Sequence, residues 1–404
     1  MSKKLSETGR GLSWLENFPD ESRAIATQLL DALLLVSWSD ARIELKSRLE
    51  AVFQLSMGRR EGPAWVLPVM ADEDTRQIAN LASSIDPAAF DNYLPASGIS
   101  STPGSEGAVG NLVRDSVLRD AIGPKTNIEE LRSRRVRTVI LVTDLVESGS
   151  QVEDFAASLL RNKTLRSWKS GRWIQIWVVA YAMSQAAQDK LRGSPHIDDI
   201  FFVTSAPSID SLPWPPHSIE EARLLCIRHA RKGADAMGYK GHGGLFAFQE
   251  RPPNTSPAIF RQTGKDWSPL FEGRRTPRDL QHELRNVSVP ETNHAMTLTA
   301  VHQHRLSVSI ERQFRPENQA LLTTLALLLR DPTAKAKIGS TLSLTQSAAE
   351  GVFAYLHRMS WVTEDGVVTE LGRAELRAGK RGIRQVEKRV RPAPGEPYYP
   401  SSLR

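Results

Sequence analysis

The chain lacks several features that would assign it to a class at once. It has a single cysteine, Cys226, which excludes a disulfide framework and a zinc site built on cysteines. No apolar run approaches the roughly 20 residues that span a bilayer, and the longest, 29–36, is far too short. The first eleven residues are polar and contain no apolar core of a secretory signal. We therefore expect a cytoplasmic protein with no membrane segment.

The composition is that of a globular protein. Hydrophobic residues make up 40% and charged residues 24% of the 404 residues. At roughly 150 residues per domain, this length predicts two or three domains. The net charge is +6, which allows a nucleic-acid or polyphosphate partner but does not require one.

The amino-terminal part predicts helices followed by a flexible loop. Apolar residues recur with a period close to 3.6 over 20–35, and a second helix is expected over 42–55. Residues 1–60 are thus interpreted as a helical hairpin that packs on the core. Glycines and hydroxyl residues over 97–110 predict a loop, and a helix is expected over 111–122.

Strands and helices alternate in the middle of the chain. Strands are predicted at 138–142, 173–180 and 200–204, with helices at 152–160 and 185–191 between them. The first strand is a continuous β-branched apolar run, which is typical of a strand buried on both faces. The alternation predicts a parallel sheet with crossover helices, that is, an α/β fold over residues 61–290.

The carboxyl-terminal part predicts a winged helix-turn-helix. Two apolar helices, 316–330 and 345–359, precede two short strands that are joined by Asp365 and Gly366. A basic tail follows. We interpret 316–404 as one domain and 291–315 as a linker or an elaborated edge.

The segment most indicative of chemistry is VILVTDLVESGSQ at 139–151. A buried strand ends near acids and leads through a small-residue loop into a helix, so backbone N–H groups of residues 148–152 can form a nest for a phosphate. Asp144 lies where open α/β sheets bind ligands. The alternative is an ordinary strand-turn-helix with a solvated acid. No dinucleotide-binding or P-loop glycine motif is present.

This segment resembles that of the phosphoribosyltransferase fold. The resemblance implies that Asp144 binds ribose hydroxyls, that Glu147 lies near the leaving group, and that Thr143 contributes to the same ligand site. It also implies that four consecutive residues wrap the 5-phosphate: Ser148, Gly149, Ser150 and Gln151. Two positions depart from the family pattern. Thr143 stands where the first of two paired acids is expected, and Gln151 stands where a hydroxyl residue is usual.

Further segments are similar to phosphoribosyltransferase-like proteins of bacterial conflict systems with a carboxyl-terminal winged helix. They are 14–19, 253–260, 267–271 and 398–404. This resemblance implies an anti-phage role, a retron reverse transcriptase as a neighbour in some systems, and a Mg²⁺ ion bound with phosphoribosyl pyrophosphate.

Weaker candidates have equally plain structural interpretations. Ser105 and Gly107 could belong to a second anion loop or to a surface loop. Asn254 could line the base side of the pocket or lie in a proline-rich turn. Five basic residues of the tail could contact nucleic acid or could simply be solvated: Lys380, Arg381, Arg384, Lys388 and Arg389.

Three functions compete. The first is an effector enzyme that acts at the ribose C1, with Asp144 and Glu147 as its catalytic acids, which the retention of Glu147 favours. The second is a nucleotide sensor without turnover that acts through the winged helix, which the loss of an acid at Thr143 favours. The third is a partner subunit that docks on a reverse transcriptase or on nucleic acid.

Overall fold

The computed structural model describes residues 4–60, 62–70, 105–115, 121–123, 126–249, 252–273, 275–280, 294–342 and 344–380. The strands are β1 (Leu34–Val36), β2 (Ala64–Pro68), β3 (Thr138–Val146), β4 (Gln175–Met183), β5 (Asp199–Ser205) and β6 (Phe246–Phe248). The helices are α1 (Gly9–Leu15), α2 (Asp20–Asp31), α3 (Trp38–Arg60), α4 (Ser105–Asp115), α5 (Ile128–Ser133), α6 (Ser150–Leu159), α7 (Lys163–Ser170), α8 (Gln185–Arg192), α9 (Pro216–His229), α10 (His294–Ala300), α11 (His304–Gln313), α12 (Pro316–Arg330), α13 (Ile338–Thr341), α14 (Gln346–Arg358) and α15 (Glu370–Gly379).

The chain divides into two compact units. The central unit is Val36–Ala206, and the terminal unit joins Met1–Leu35 with Pro207–Arg404. The terminal unit is therefore discontinuous in sequence, and the central unit is inserted into it.

A parallel sheet forms the centre of the central unit, with its strands in the order β2, β3, β4, β5. Pairs such as Val66↔Ile140 and Ile140↔Trp177 set the register. β3 and β4 are apolar runs that are almost entirely buried, because helices cover both of their faces. All strands run the same way, so their carboxyl ends lie at one edge of the sheet and their amino ends at the other.

Helices on the two faces of this sheet are identified by their side-chain contacts. On one face α3 packs against β4 and β5, with the guanidinium of Arg48 lying 5.8 Å from the centre of the Phe201 ring. On the other face Val152 and Phe155 of α6 join a core with Val139 and other apolar residues of the sheet. The sheet is thus the middle layer of three.

The first core of the terminal unit is organised around Trp14. Its ring is fully buried, lies 5.2 Å from that of Phe260, and its Nε1 donates a hydrogen bond to the Ile259 carbonyl at 2.8 Å. β1 and β6 pair in a small two-stranded sheet, and apolar residues of both strands belong to this core. Residues from before and after the inserted central unit therefore build one core.

The second core of the terminal unit belongs to the winged helix and the helices before it. Leu306, Ile310 and Phe314 of the α11 region share this core with residues of α12 and α14. The wing is closed by an antiparallel bridge between Val362 and Val368, and Gly366 turns with a φ of +87°. The predicted winged helix and its Asp-Gly turn are confirmed.

Several predicted elements differ in extent. The expected amino-terminal hairpin is interrupted by β1, and α2 packs with α9 in the terminal unit whereas α3 lies on the central sheet. The strand expected to end at 142 continues to Val146. The prediction of a parallel sheet flanked by helices is confirmed. In the described part of the chain no helix is long and apolar enough to cross a membrane.

Candidate functional site

Asp144 lies inside β3, two residues before the strand ends. It is 8% exposed, and its Oδ1 accepts a hydrogen bond from the Leu145 backbone N–H at 2.8 Å and from the Thr143 hydroxyl at 3.4 Å. These contacts fix the carboxylate close to its own backbone.

Tyr181 of β4 lies beside Asp144 on the same face of the sheet. The flanking pairs Thr143↔Ala180 and Leu145↔Ala182 set this register. Burial, together with the carboxylate of Glu44, raises the pKa of the Tyr181 phenol. The phenol therefore stays protonated at neutral pH, and its side-chain hydrogen bond is with Glu44 of α3.

The turn after β3 is tied to the turn after β4. The Ser184 hydroxyl donates to the Glu147 carbonyl, and the Ser184 N–H donates to the Val146 carbonyl at 2.9 Å. The same hydroxyl accepts the N–H of Ala187 at 3.0 Å and so caps α8. Ser184 thus joins the ends of two neighbouring strands at the carboxyl edge.

Gly149 sits at the N-cap of α6 in the left-handed region, with φ of +72°. An added Cβ would lie 3.3 Å from Cγ of Leu191 and 3.6 Å from Cα of Ala187. The position is buried, whereas loops usually lie at the surface. The chain needs glycine here both for its conformation and for the close approach of α8.

The start of α6 is the segment for which the sequence predicted phosphate binding. Its first N–H groups have no partners within the helix, and the Ser150 N–H lies 3.3 Å from the Ser148 hydroxyl. Glu147, Ser148 and Ser150 are half-buried, whereas Gln151 is exposed. These four residues and Gly149 are therefore contiguous at the carboxyl edge, as the sequence predicted, and the turn is continuous with Asp144.

Lys190 of α8 brings a cation to this turn. Its Nζ donates to the Ser150 hydroxyl at 2.9 Å and lies 3.1 Å from the Glu153 carboxylate. The hydrogen bond from Lys190 lowers the pKa of Glu153, against a smaller opposing effect of burial. A positive charge beside a helix N-terminus favours an anionic ligand. No local sequence signal identifies Lys190, because it lies forty residues after Ser150 in the chain.

Other predicted site residues lie elsewhere. Ser105 and Gly107 belong to α4 rather than to a loop, because the apolar residues that follow give the segment a helical stripe that packs on β2 and β3. Asn254 belongs to the terminal unit, is exposed, and its carbonyl accepts the Tyr239 N–H at 3.0 Å. The structure does not test their roles as ligand-binding residues.

Of the predicted basic tail, only the first residue is within the described part of the chain. Lys380 is exposed at the end of α15. Arg381, Arg384, Lys388 and Arg389 lie outside the described residues. Their contact with nucleic acid stays a prediction.

The fold and this turn define an α/β protein in which a strand-to-helix turn lies at the carboxyl edge of a parallel sheet. A family model described as PRTase-CE matches residues 12–272, nearly two thirds of the chain. The chain belongs to this phosphoribosyltransferase-like family. A second model, described as wHTH-PRTase associated, matches residues 322–404. No curated protein and no solved structure matches the chain.

Proposed function

We propose that the turn between β3 and α6 binds a ribose-phosphate ligand, such as phosphoribosyl pyrophosphate or a nucleotide. The observation that carries the proposal is the turn at Gly149, which leads from a buried acid of a central strand into a helix N-terminus in a member of a phosphoribosyltransferase-like family. The helix N-terminus and Lys190 would hold the phosphate. Asp144 would accept hydrogen bonds from the ribose hydroxyls.

The chemistry that follows would take place at the ribose C1. Glu147 is half-buried in the same turn, on the side where a leaving group would lie by analogy with the family. A Mg²⁺ ion fits this site only together with a ligand. Among the described residues no three His, Cys, Asp or Glu side chains converge, and Mg²⁺ is commonly held by one or two carboxylates plus substrate phosphates. Asp144 of β3 and Glu147 of the turn are the carboxylates that would hold it.

A sensor without turnover is the second candidate. Thr143 replaces one of the two paired acids of the family, and its hydroxyl is engaged with Asp144. With one acid fewer, binding of a nucleotide is easier to support than catalysis. Binding of the nucleotide would then change how the winged helix contacts a nucleic acid or a reverse transcriptase. In either case the biological role would be in anti-phage defence, as the family resemblance suggests.

The test is calorimetric titration of the full chain with phosphoribosyl pyrophosphate and, separately, with inorganic phosphate, both with Mg²⁺. Asp144→Asn keeps the shape of the side chain but removes the charged acceptor, for which a hydrogen bond contributes about 1.5–3 kcal/mol. We expect affinity for the pyrophosphate ligand to fall about ten- to a hundred-fold and affinity for phosphate to change much less.

Asp199→Asn is the matched control. Asp199 begins β5 and also accepts the N–H of the next residue, at 3.0 Å, but it lies at the opposite edge of the sheet. This control should bind both ligands as the wild type does. If Asp144→Asn binds phosphoribosyl pyrophosphate with wild-type affinity and an unchanged melting curve, the ribose-binding role of Asp144 is wrong.

A further inference from the structure

The amino edge of the central sheet carries a second surface, remote from the candidate ligand turn. Two segments, 132–137 and 161–173, lead into the neighbouring strands β3 and β4. They adjoin each other, because the Gln175 N–H donates to the Arg137 carbonyl at 2.9 Å. We call these two segments the amino-edge surface.

This surface is strongly basic. It contains nine cationic side chains and no acidic one, and seven of the nine are exposed while Arg137 and Lys169 are half-buried. The nine are Arg132, Arg134, Arg135, Arg137, Arg161, Lys163, Arg166, Lys169 and Arg172.

Acidic neighbours offset only part of this charge. Asp198 pairs with Lys169 at 2.6 Å, and Glu129 and Glu130 occupy the first turn of α5. When these three acids and Asp199, which begins β5 at the same edge, are included, the surface still has a net charge of +5. The positive charge of this edge is therefore only partly neutralised.

Two tryptophans are interleaved with the arginines. Trp173 is 60% exposed, and the guanidinium of Arg137 lies 5.2 Å from its ring centre. The guanidinium of Arg132 lies 5.9 Å from the ring of Trp168. An exposed indole that is held beside a guanidinium presents a flat platform for stacking.

Two of the arginines also hold unfavourable backbone conformations. Arg135 has φ of +54° and Arg172 has φ of +57°, and each follows the carboxyl end of a helix, three residues before its strand. Such positions strongly favour glycine, since a side chain there is strained. Arginine at both equivalent positions, in spite of this strain, points to a role of its side chain in binding.

We propose that the amino-edge surface binds single-stranded nucleic acid. The arginines would contact the phosphates and a base would stack on Trp173, which is how sequence-tolerant single-strand binding is achieved. A duplex keeps its bases stacked on each other and could not use this ring. An anionic membrane is less well matched, because Trp173 is the one exposed large apolar residue among the described residues of the two segments.

The experiment measures fluorescence anisotropy of the full-length protein with labelled oligo(dT) of 30 nucleotides, across a series of salt concentrations. Trp173→Ala should weaken binding about ten-fold or more. The double variant Arg135→Gly, Arg172→Gly should flatten the log–log salt dependence by about 1.4, since each phosphate contact on a single strand contributes about 0.7. Its melting temperature should equal or exceed that of the wild type, because glycine relieves the strain.

The terminal unit offers a matched control. Tyr239 is 52% exposed with the Lys240 ammonium 5.4 Å from its ring centre, and Lys240 has φ of +54°. Tyr239→Ala and Lys240→Gly thus repeat the same losses of ring, charge and strain in the other unit of the chain. Both should leave the affinity for oligo(dT) unchanged.

The contribution of the basic tail to binding must be measured separately from that of the amino-edge surface. The amino-edge variants should show the same losses in a protein whose Lys380, Arg381, Arg384, Lys388 and Arg389 are neutral. The proposal is wrong if the wild type does not bind oligo(dT) at low salt, or if the amino-edge variants bind it as the wild type does. Tighter binding to a 30-base-pair duplex, or to phosphatidylserine vesicles in place of oligo(dT), would also overturn it.

Discussion

At the scale of single residues, Gly149 has two functions that a mutation cannot separate. Its left-handed conformation starts α6, and its missing side chain lets Leu191 approach. Substitution by valine would strain the backbone and collide with α8, so loss of ligand binding in that variant would not identify a phosphate contact. This is why Asp144→Asn, which preserves shape, is the more decisive change.

His294 makes the stability of the second terminal core depend on pH. Burial lowers the pKa of its imidazole to about 4, and its Nδ1 lies 3.0 Å from the Thr323 hydroxyl. In the unfolded chain the pKa is about 6.5, so the unfolded state takes up the proton first as the pH falls. The stabilisation is complete above pH 6.5 and decreases as the pH falls from about 6.5 to about 4.

We therefore expect the free energy of unfolding of this core to be about 2 kcal/mol lower at pH 5 than at pH 7 from this residue alone. Urea unfolding of the wild type and of His294→Gln at the two pH values measures it. The variant should lose this component of the pH dependence. An identical difference between the two pH values in both proteins would show that His294 does not cause it.

Residue-level chemistry was predictable where it depends on local sequence. The positive φ of Gly149 follows from a glycine between two serines in a strand-to-helix turn. Its burial does not, because it depends on Leu191, forty-two residues later in the chain. Lys190 was missed for the same reason, since its contact with Ser150 is made by the fold and not by sequence proximity.

At the scale of elements, the winged helix depends on a close contact at Gly372. A Cβ at this position of α15 would lie 2.3 Å from the Trp361 carbonyl oxygen, whereas one at Gly351 of α14 would meet no atom within 4 Å. Gly372→Ala should destabilise the second terminal core by about 1–3 kcal/mol through overpacking. Gly351→Ala should stabilise it by about 0.5–1 kcal/mol, because alanine has the higher helix propensity.

Thermal unfolding followed by circular dichroism compares these two variants directly. They make the same chemical change in two helices of one core, so a difference in sign isolates packing from propensity. Equal effects on the melting temperature would mean that α15 can shift away from Trp361 without loss.

Elements were predictable where their pattern was strong. α12 has the predicted bounds, and β3 was identified from its β-branched run although it ends later than expected. α7 was not predicted, because its sequence is largely polar and its helix is stabilised by Asn162, which caps Thr164 and Leu165. The early start of α4 was hidden by its glycines, which sequence alone assigns to loops.

At the scale of the whole molecule, the winged helix begins its core earlier than residue 316. Leu306, Ile310 and Phe314 are buried in that core, and Leu298 of α10 is as well. A chain that ends at 315 would keep these residues but lose their partners. A chain that ends at 293 would lose them together with the core.

We therefore expect the protein truncated after 293 to unfold cooperatively and the one truncated after 315 to aggregate more readily. Differential scanning calorimetry and light scattering of the two proteins, beside the full chain, measure this. If the protein that ends at 315 aggregates less than the one that ends at 293, α10 and α11 belong with the first core instead.

The hydrogen bond from Trp14 to the Ile259 carbonyl joins residues 245 positions apart. On the ribosome, at roughly 5–20 residues per second, the indole emerges about 12 to 50 seconds before its acceptor exists. The inserted central unit can be completed during that interval. The amino-terminal segment cannot complete its core during that interval. Its apolar side chains therefore remain in an unfolded part of the nascent chain. Protection of this segment from aggregation during synthesis is therefore a requirement that follows from the discontinuous order of the fold.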